Sequence, residues 1–413
     1  MPSLARLPRS LAGFTAGDLL ARRRDARQES GEVGLDGQRR WRYVRRAMTS
    51  ATTDGNRPAQ PGELLVIGFE GIEADAALLD FLDRESIAGV ILFRRNVRDA
   101  AQVARLVRSL REAAPRLLVG IDEEGGKVRR LSADFTTFPS MDLVGRIDSE
   151  ALVRELARAM AAELRAIGVN WDFAPVLDVH SNLANPIIGA RALSSDPAVV
   201  ARLGAVFIEA LQGAGVAACG KHFPGHGDTS LDSHLQLPTV DAAREILDAR
   251  ELVPFRAAAR AGVASMMTAH VRYPALDPHR TATLSPAILE GLLRRDIGFE
   301  GVVVTDDLEM RAVSDHATPE QLAVASVQAG ADVLLACKHR EVQERVIDGL
   351  RRAIAAGAIA QSRVDASAAR IRELAARFTL DAALVDPDRA TQIAGAARPL
   401  VARIEALAGA TVA

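Results

Sequence analysis

Between Lys221 and His234 the chain reads KHFPGHGDTSLDSH, which places three histidines, two aspartates and two glycines within fourteen residues. Two chemistries use such a set. Clustered histidine and aspartate can bind a hydrolytic zinc or iron ion, and His222, His226, His234, His270 and Asp306 could supply ligands. Against a metal, no His-x-His pair follows the first apolar run, and the first two runs end without a histidine or carboxylate. Proton transfer asks for less. In Asp232-Ser233-His234 an extended backbone puts residues i and i+2 on one side, so Asp232 can accept a hydrogen bond from one ring nitrogen of His234. The other nitrogen is then left to exchange a proton with a substrate, and a histidine pKa of about 6.5 suits a group that must give and then take one. Pro224 and the glycines set this pair on a long loop able to close over a ligand. Standing alone, Asp232 and His234 would read as an incidental surface pair.

The surrounding elements give them a setting. From Glu63 onward short apolar runs alternate with Ala/Leu/Arg-rich amphipathic stretches. The runs are LLVIGF (64–69), GVILF (89–93), LLVGID (117–122), VNWDFAPVLDV (169–179), VAACGKHF (216–223), ASMMTAHV (264–271), GVVVTDDL (301–308) and ADVLLAC (331–337). Near-continuous apolar strands are buried on both faces, as in a parallel sheet covered by helices. Eight such units predict an α/β fold, a single-domain (β/α)8 TIM-type barrel, with a doubly wound open sheet as the alternative. Active sites of this barrel lie where strands end, and the polar residues obey that rule. Asp122 closes the third run, Asp172 and Asp178 lie in the fourth, and Lys221 and His222 close the fifth. His270 closes the sixth, and Asp306 and Asp307 the seventh. Helix charges such as Glu163 and Arg165 read as solvated faces.

Composition narrows the partners. Hydrophobic residues make up 48% and charged ones 25% with a net charge of -2, a soluble globular balance with no bias toward nucleic acid or an anionic membrane. A small-molecule substrate is expected. Cys219 and Cys337 both sit inside apolar runs, as buried free thiols rather than a disulfide, which implies a reducing, cytoplasmic compartment. No run has the length of a membrane span or a secretory signal. Residues 1–61 are Arg-rich and then polar, and read as a disordered extension and linker, with a targeting peptide or nucleic-acid arm as alternatives. Met48 is a candidate translation start. The barrel is expected over 62–375, and 376–413 as a helical tail beside it.

Taken in order, GIDEEGGKVRRL, NWDFAPVLDV, NPIIGARAL, KHFPGHGDTSLDSH and GVVVTDDLEM resemble glycoside hydrolase family 3 over about residues 62–375. More narrowly, the chain is similar to the single-domain β-N-acetylglucosaminidases of the NagZ type, which serve peptidoglycan recycling. The resemblance implies a retaining enzyme whose nucleophile is Asp306, with His234 as general acid/base and Asp232 as its orienting partner. It implies sugar binding by Asp122, Arg130, Arg191, Lys221 and His222, with His226 structural, Met310 in the pocket lining or core, and Asp307 pointing away or capping the following helix. Glu123 and Lys127 stand where the family usually reads Gln and Arg, and His180 where Asn is common, which leaves fine substrate preference open. Larger family members carry a second domain that supplies their acid/base, and the Ala- and Arg-rich stretch after Cys337 leaves no room for one.

The implied activity removes terminal GlcNAc from GlcNAc-1,6-anhydro-MurNAc and its peptides, with no metal and no cofactor, by a monomer. A histidine acid/base also permits phosphate to replace water, so a glycosyl phosphorylase is the nearest alternative. A metal-dependent barrel hydrolase and a catalytically silent sugar-binding protein stand further off.

Overall fold

The computed structural model describes residues 57–233 and 236–412. Residues 1–56, and with them Met48 and nearly all of the Arg-rich extension, lie outside the described residues, as do His234, Leu235 and Ala413. The described residues form one compact unit.

Each of the eight apolar runs contains one strand of a closed barrel. They are β1 (Leu65–Ile67), β2 (Gly89–Leu92), β3 (Leu118–Ile121), β4 (Trp171–Asp172), β5 (Ala217–Phe223), β6 (Ser265–Thr268), β9 (Val302–Asp307) and β10 (Val333–Ala336). Every neighbouring pair is parallel, and β1 closes the ring on β10 with Leu65 opposite Leu334 and Ile67 opposite Ala336. Strand residues are almost all buried, because side chains fill the barrel on one face and meet the helical layer on the other.

The helices start where the sequence supplies a side-chain acceptor. Asp75, Asp99, Ser149 and Asp196 each take an N–H of the first turn, and Thr318 with Gln321 makes a reciprocal capping box. The stretch after Ser285 winds as a π-helix, Ala287–Asp296. Among the described residues no helix is long and apolar enough to cross a membrane. Cys219 and Cys337 are buried free thiols, and burial pushes the first up to about 12.

Two features depart from the sequence reading. The sixth run yields strand only to Thr268, and the chain then folds into an antiparallel hairpin, β7 (Arg272–Tyr273) with β8 (Asp277–Thr281). Glu163 is not on a solvated face. It is 1% exposed, and its carboxylate accepts from the Thr136 amide (2.9 Å), the Thr136 hydroxyl (2.5 Å) and the Gly395 amide (3.1 Å). It thereby joins the helix Glu150–Ala166 to the turn before the last helix, Arg398–Val412. Arg165 is also engaged, donating to the Gly215 carbonyl at 2.7 Å.

Candidate active site

The tips of β3 and β5 bring four of the expected residues into one network. Lys221 is 2% exposed, and its Nζ lies 2.8 Å from Asp122 Oδ1 and 2.5 Å from Glu124 Oε1. Arg130 reaches the other oxygen of Asp122 at 3.2 Å. Arg191, at the end of a short 3-10 turn (Gly189–Arg191), grips Glu124 through both Nε (2.8 Å) and Nη2 (2.9 Å). Burial works against the charges of Glu124, Arg191 and Lys221, but their attraction to their partners wins. Glu124 stays well below the usual carboxylate range beside Arg191 and Lys221, and Lys221 is held above its ordinary value by Asp122 and Glu124. Glu124, the hub of the network, escapes a sequence reading because three consecutive acids, Asp122 to Glu124, look like a solvated charge run.

Behind this network lies a second pair of carboxyls of opposite character. Glu123 accepts from the amides of Arg130 (2.8 Å) and Leu131 (3.2 Å), yet burial pushes it up to about 7. Asp172 accepts from the Glu123 amide at 3.0 Å and has its other oxygen buried with no hydrogen-bond partner. Burial, with Glu123 adding to it, raises Asp172 well above the normal range. These two carboxyls hold the β3 tip in shape through the Arg130, Leu131 and Glu123 amides.

His222 is oriented by Asp178, which faces its Nδ1 at 2.7 Å and accepts its amide at 3.1 Å. Burial alone would raise Asp178, but His222 and the nearby His226 keep it below the ordinary value. The loop after β5 is clamped as it leaves the barrel. Asn185 donates to His226 O (2.9 Å), Gly227 O (3.1 Å) and Thr229 Oγ1 (3.1 Å), and Tyr273 of the hairpin donates to Gly225 O at 2.6 Å. His226 is 2% exposed and fully engaged. Farther along, Asp232 accepts from the Gln236 amide through its carbonyl at 2.9 Å, and His234 is outside the described residues.

On the opposite arc, Asp306 is the penultimate residue of β9, with its Oδ1 accepting from the Asp307 amide at 2.8 Å. The Nε2–H of His270 donates to the Asp307 carbonyl at 3.0 Å and so fixes the peptide that follows Asp307. Asp306 is near enough for its charge to act on both His270 and His226. Asp307 does not cap the following helix. It accepts from the amides of Glu309 (3.1 Å) and of Cys337 on the next strand's tip (3.2 Å), and burial pushes it up to about 7. Met310 is buried at 6% exposure. The mouth of the barrel thus offers a carboxylate on one arc, fixed cations and carboxylates on another, and a histidine-bearing loop between them. Polar, charge-dense rims of this kind suit a hydroxyl-rich ligand.

Residues 60–374 match the family described as Glycosyl hydrolase family 3 N terminal domain. The chain belongs to glycosyl hydrolase family 3. This glycoside hydrolase is 39% identical over 291 residues to a β-hexosaminidase of Tolumonas auensis, a match covering 70% of this chain and 86% of that one. It is 42% identical over 269 residues to a β-hexosaminidase of Thiobacillus denitrificans, covering 63% and 74%. Among solved structures, it resembles a family 3 β-N-acetylglucosaminidase from Paenibacillus sp. with TM-score 0.79 and 40% identity, over 86% of this chain and 69% of that one. NagZ from Neisseria gonorrhoeae in complex with N-trifluoroacetyl-D-glucosamine aligns with TM-score 0.64 and 32% identity, over 77% and 100%.

Proposed function

We propose that this family 3 glycoside hydrolase is a retaining exo-β-N-acetylglucosaminidase. Its substrates are peptidoglycan fragments, GlcNAc-1,6-anhydro-MurNAc and its peptides, from which it removes terminal GlcNAc. Asp306 attacks the anomeric carbon while His234, oriented by Asp232, protonates the departing oxygen. Water then displaces the sugar from Asp306 after yielding its proton to His234. Asp122, Arg130, Lys221, Arg191 and His222 hold the GlcNAc hydroxyls, with Asp122 and Lys221 positioned by their mutual ion pair. The chain acts as a monomer in the cytoplasm, without metal or cofactor.

The observation that carries this reading is the placing of Asp306 at the β9 tip, next to the Asp307 carbonyl that His270 holds, in the barrel mouth that also holds the Asp122–Lys221 pair. Kinship with β-hexosaminidases supplies the sugar class. The test is release of p-nitrophenol from the β-N-acetylglucosaminide and the β-glucoside in phosphate buffer with EDTA. Only the acetylated sugar should turn over. Asp306→Ala should abolish turnover, His234→Ala should lower it by ~10²-fold or more, and the product should be GlcNAc rather than GlcNAc-1-phosphate. Full activity in Asp306→Ala, or activity that EDTA removes, would sink the reading. GlcNAc-1-phosphate as product would convert it to the phosphorylase.

A further inference from the structure

We infer that His226 and Ser233 form a catch that seats the acid/base, making both of them positioning residues for the reaction proposed above, on which this inference rests. Ser233 lies in the sequence between Asp232 and His234, so whatever fixes it limits how far both neighbours can travel. It is 3% exposed, unusual for a small polar residue in the distal half of a long loop. Its hydroxyl lies 3.0 Å from His226 Nε2, and its carbonyl accepts from the Ala312 amide at 3.3 Å, in the helix Arg311–Ser314 that follows β9. The serine therefore bridges the root of its own loop and the short helix that follows the strand carrying Asp306.

The ring of His226 is engaged at both nitrogens. Thr229 Oγ1 lies 2.9 Å from Nδ1 and 3.1 Å from the His226 carbonyl, and accepts from Asn185 at 3.1 Å. Burial pushes the imidazole down to about 4, which keeps it neutral at working pH. A neutral ring donates from one nitrogen and accepts at the other, and the Ser233 hydroxyl, able to do either, pairs with Nε2 in both tautomers. The imidazole itself cannot swing away. Its backbone amide donates to Asp178 Oδ1 at 2.7 Å, the same oxygen that takes the His222 amide, and its carbonyl is held by Asn185. One continuous chain of hydrogen bonds thus runs from His222, proposed to bind sugar, through Asp178 and His226 to the residue between Asp232 and His234. Neither His226 nor Ser233 needs to touch the substrate for this to matter, since a misplacement of about 1 Å in a proton donor costs rate steeply.

The distinguishing measurement is leaving-group dependence. kcat/KM is compared on a β-linked GlcNAc disaccharide, whose leaving alcohol needs a proton, and on the 2,4-dinitrophenyl β-N-acetylglucosaminide, whose leaving group does not. The proteins are wild type, Ser233→Ala, Ser233→Thr, His226→Phe and His234→Ala. Ser233→Ala should lose at least about tenfold on the disaccharide and several-fold less on the dinitrophenyl substrate, a smaller copy of the His234→Ala pattern. Ser233→Thr, which keeps the hydroxyl, should recover most of the loss, and His226→Phe should follow Ser233→Ala. Equal losses on both substrates, or none, in Ser233→Ala beside a discriminating His234→Ala would overturn the catch alone. Equal losses in His234→Ala would overturn the acid/base assignment and the catch together.

Discussion

Glu123 shows how one buried side chain can make stability depend on pH. Its folded pKa of about 7 lies above the ordinary 4.5, so between those values the folded protein holds a proton that the unfolded chain has released. Stability therefore falls as pH rises through that window, and the cost is fully present above it. Glu123→Gln keeps an oxygen for the Arg130 and Leu131 amides but cannot ionise. Denaturant titrations of the two proteins should show the variant gaining on wild type by about 2–3 kcal/mol between pH 4.5 and pH 8. A pH-independent difference would show that Glu123 stays ionised throughout. Sequence reading at this scale found the residues with a conspicuous position and type, Asp122, Lys221, His222 and Asp306, because each closes an apolar run. It missed Glu124 and misplaced Glu163, whose partners come from far along the chain. Nothing inside an Ala/Leu/Arg-rich helix signals that the Gly395 amide will arrive to use a carboxylate.

The decisive element is the loop after β5, held at its root by the preceding loop and by the hairpin. Asn185 serves both sides of that join, since its Oδ1 also accepts from the amides of Ile187 (2.9 Å) and Ile188 (2.8 Å). Asn185→Ala removes all of these bonds and takes the side-chain acceptor from the Ile187 and Ile188 amides, at a cost of about 2–4 kcal/mol. Hydrogen exchange should report it locally, with the Ile187 and Ile188 amides losing protection while those of β1 and β2 keep theirs. Uniform loss would mean that the join is not a local unit. The strands were legible because burial on both faces forces a continuous apolar run that any sequence must display. The β7–β8 hairpin was not, because its Arg272–Thr281 stretch is polar and proline-bearing, and its ties to the loop after β5 run through the Tyr273 hydroxyl on Gly225 and the Arg272 backbone on Pro238 and Val240.

At the scale of the whole barrel, function and stability occupy opposite ends. Asp332, one residue before β10, is fully buried and receives Arg294 (2.5 Å), Arg363 (3.2 Å) and Arg370 (3.1 Å), with the Ser367 hydroxyl at 2.6 Å and the Val303 amide at 3.0 Å. It pins the helices around the barrel floor. Asp332→Asn leaves three guanidinium groups facing a neutral amide and should cost about 3–5 kcal/mol. Thermal unfolding should move down by several degrees while kcat at 25 °C stays near wild type, as expected for the end of a barrel remote from its βα loops. A parallel fall in kcat would show that the floor and the mouth are coupled.

The pairing of β1 with β10 has a consequence in time rather than space. The ring closes between residues near opposite ends of the described chain, Leu65 and Leu334, so the last contacts are also among the most distant in sequence. Until they form, β10 has a partner on one side only, so the strand whose Cys337 amide braces Asp307 at the tip of β9 is itself an open edge. Non-local pairings of this kind form slowly, after helices and local strand pairs. On refolding from denaturant, helical circular dichroism should return first and sugar release only with the slowest phase. An early return of turnover would mean that an open sheet already suffices. The chain acquires its chemistry last, and a half-made barrel has no opportunity to cut sugar.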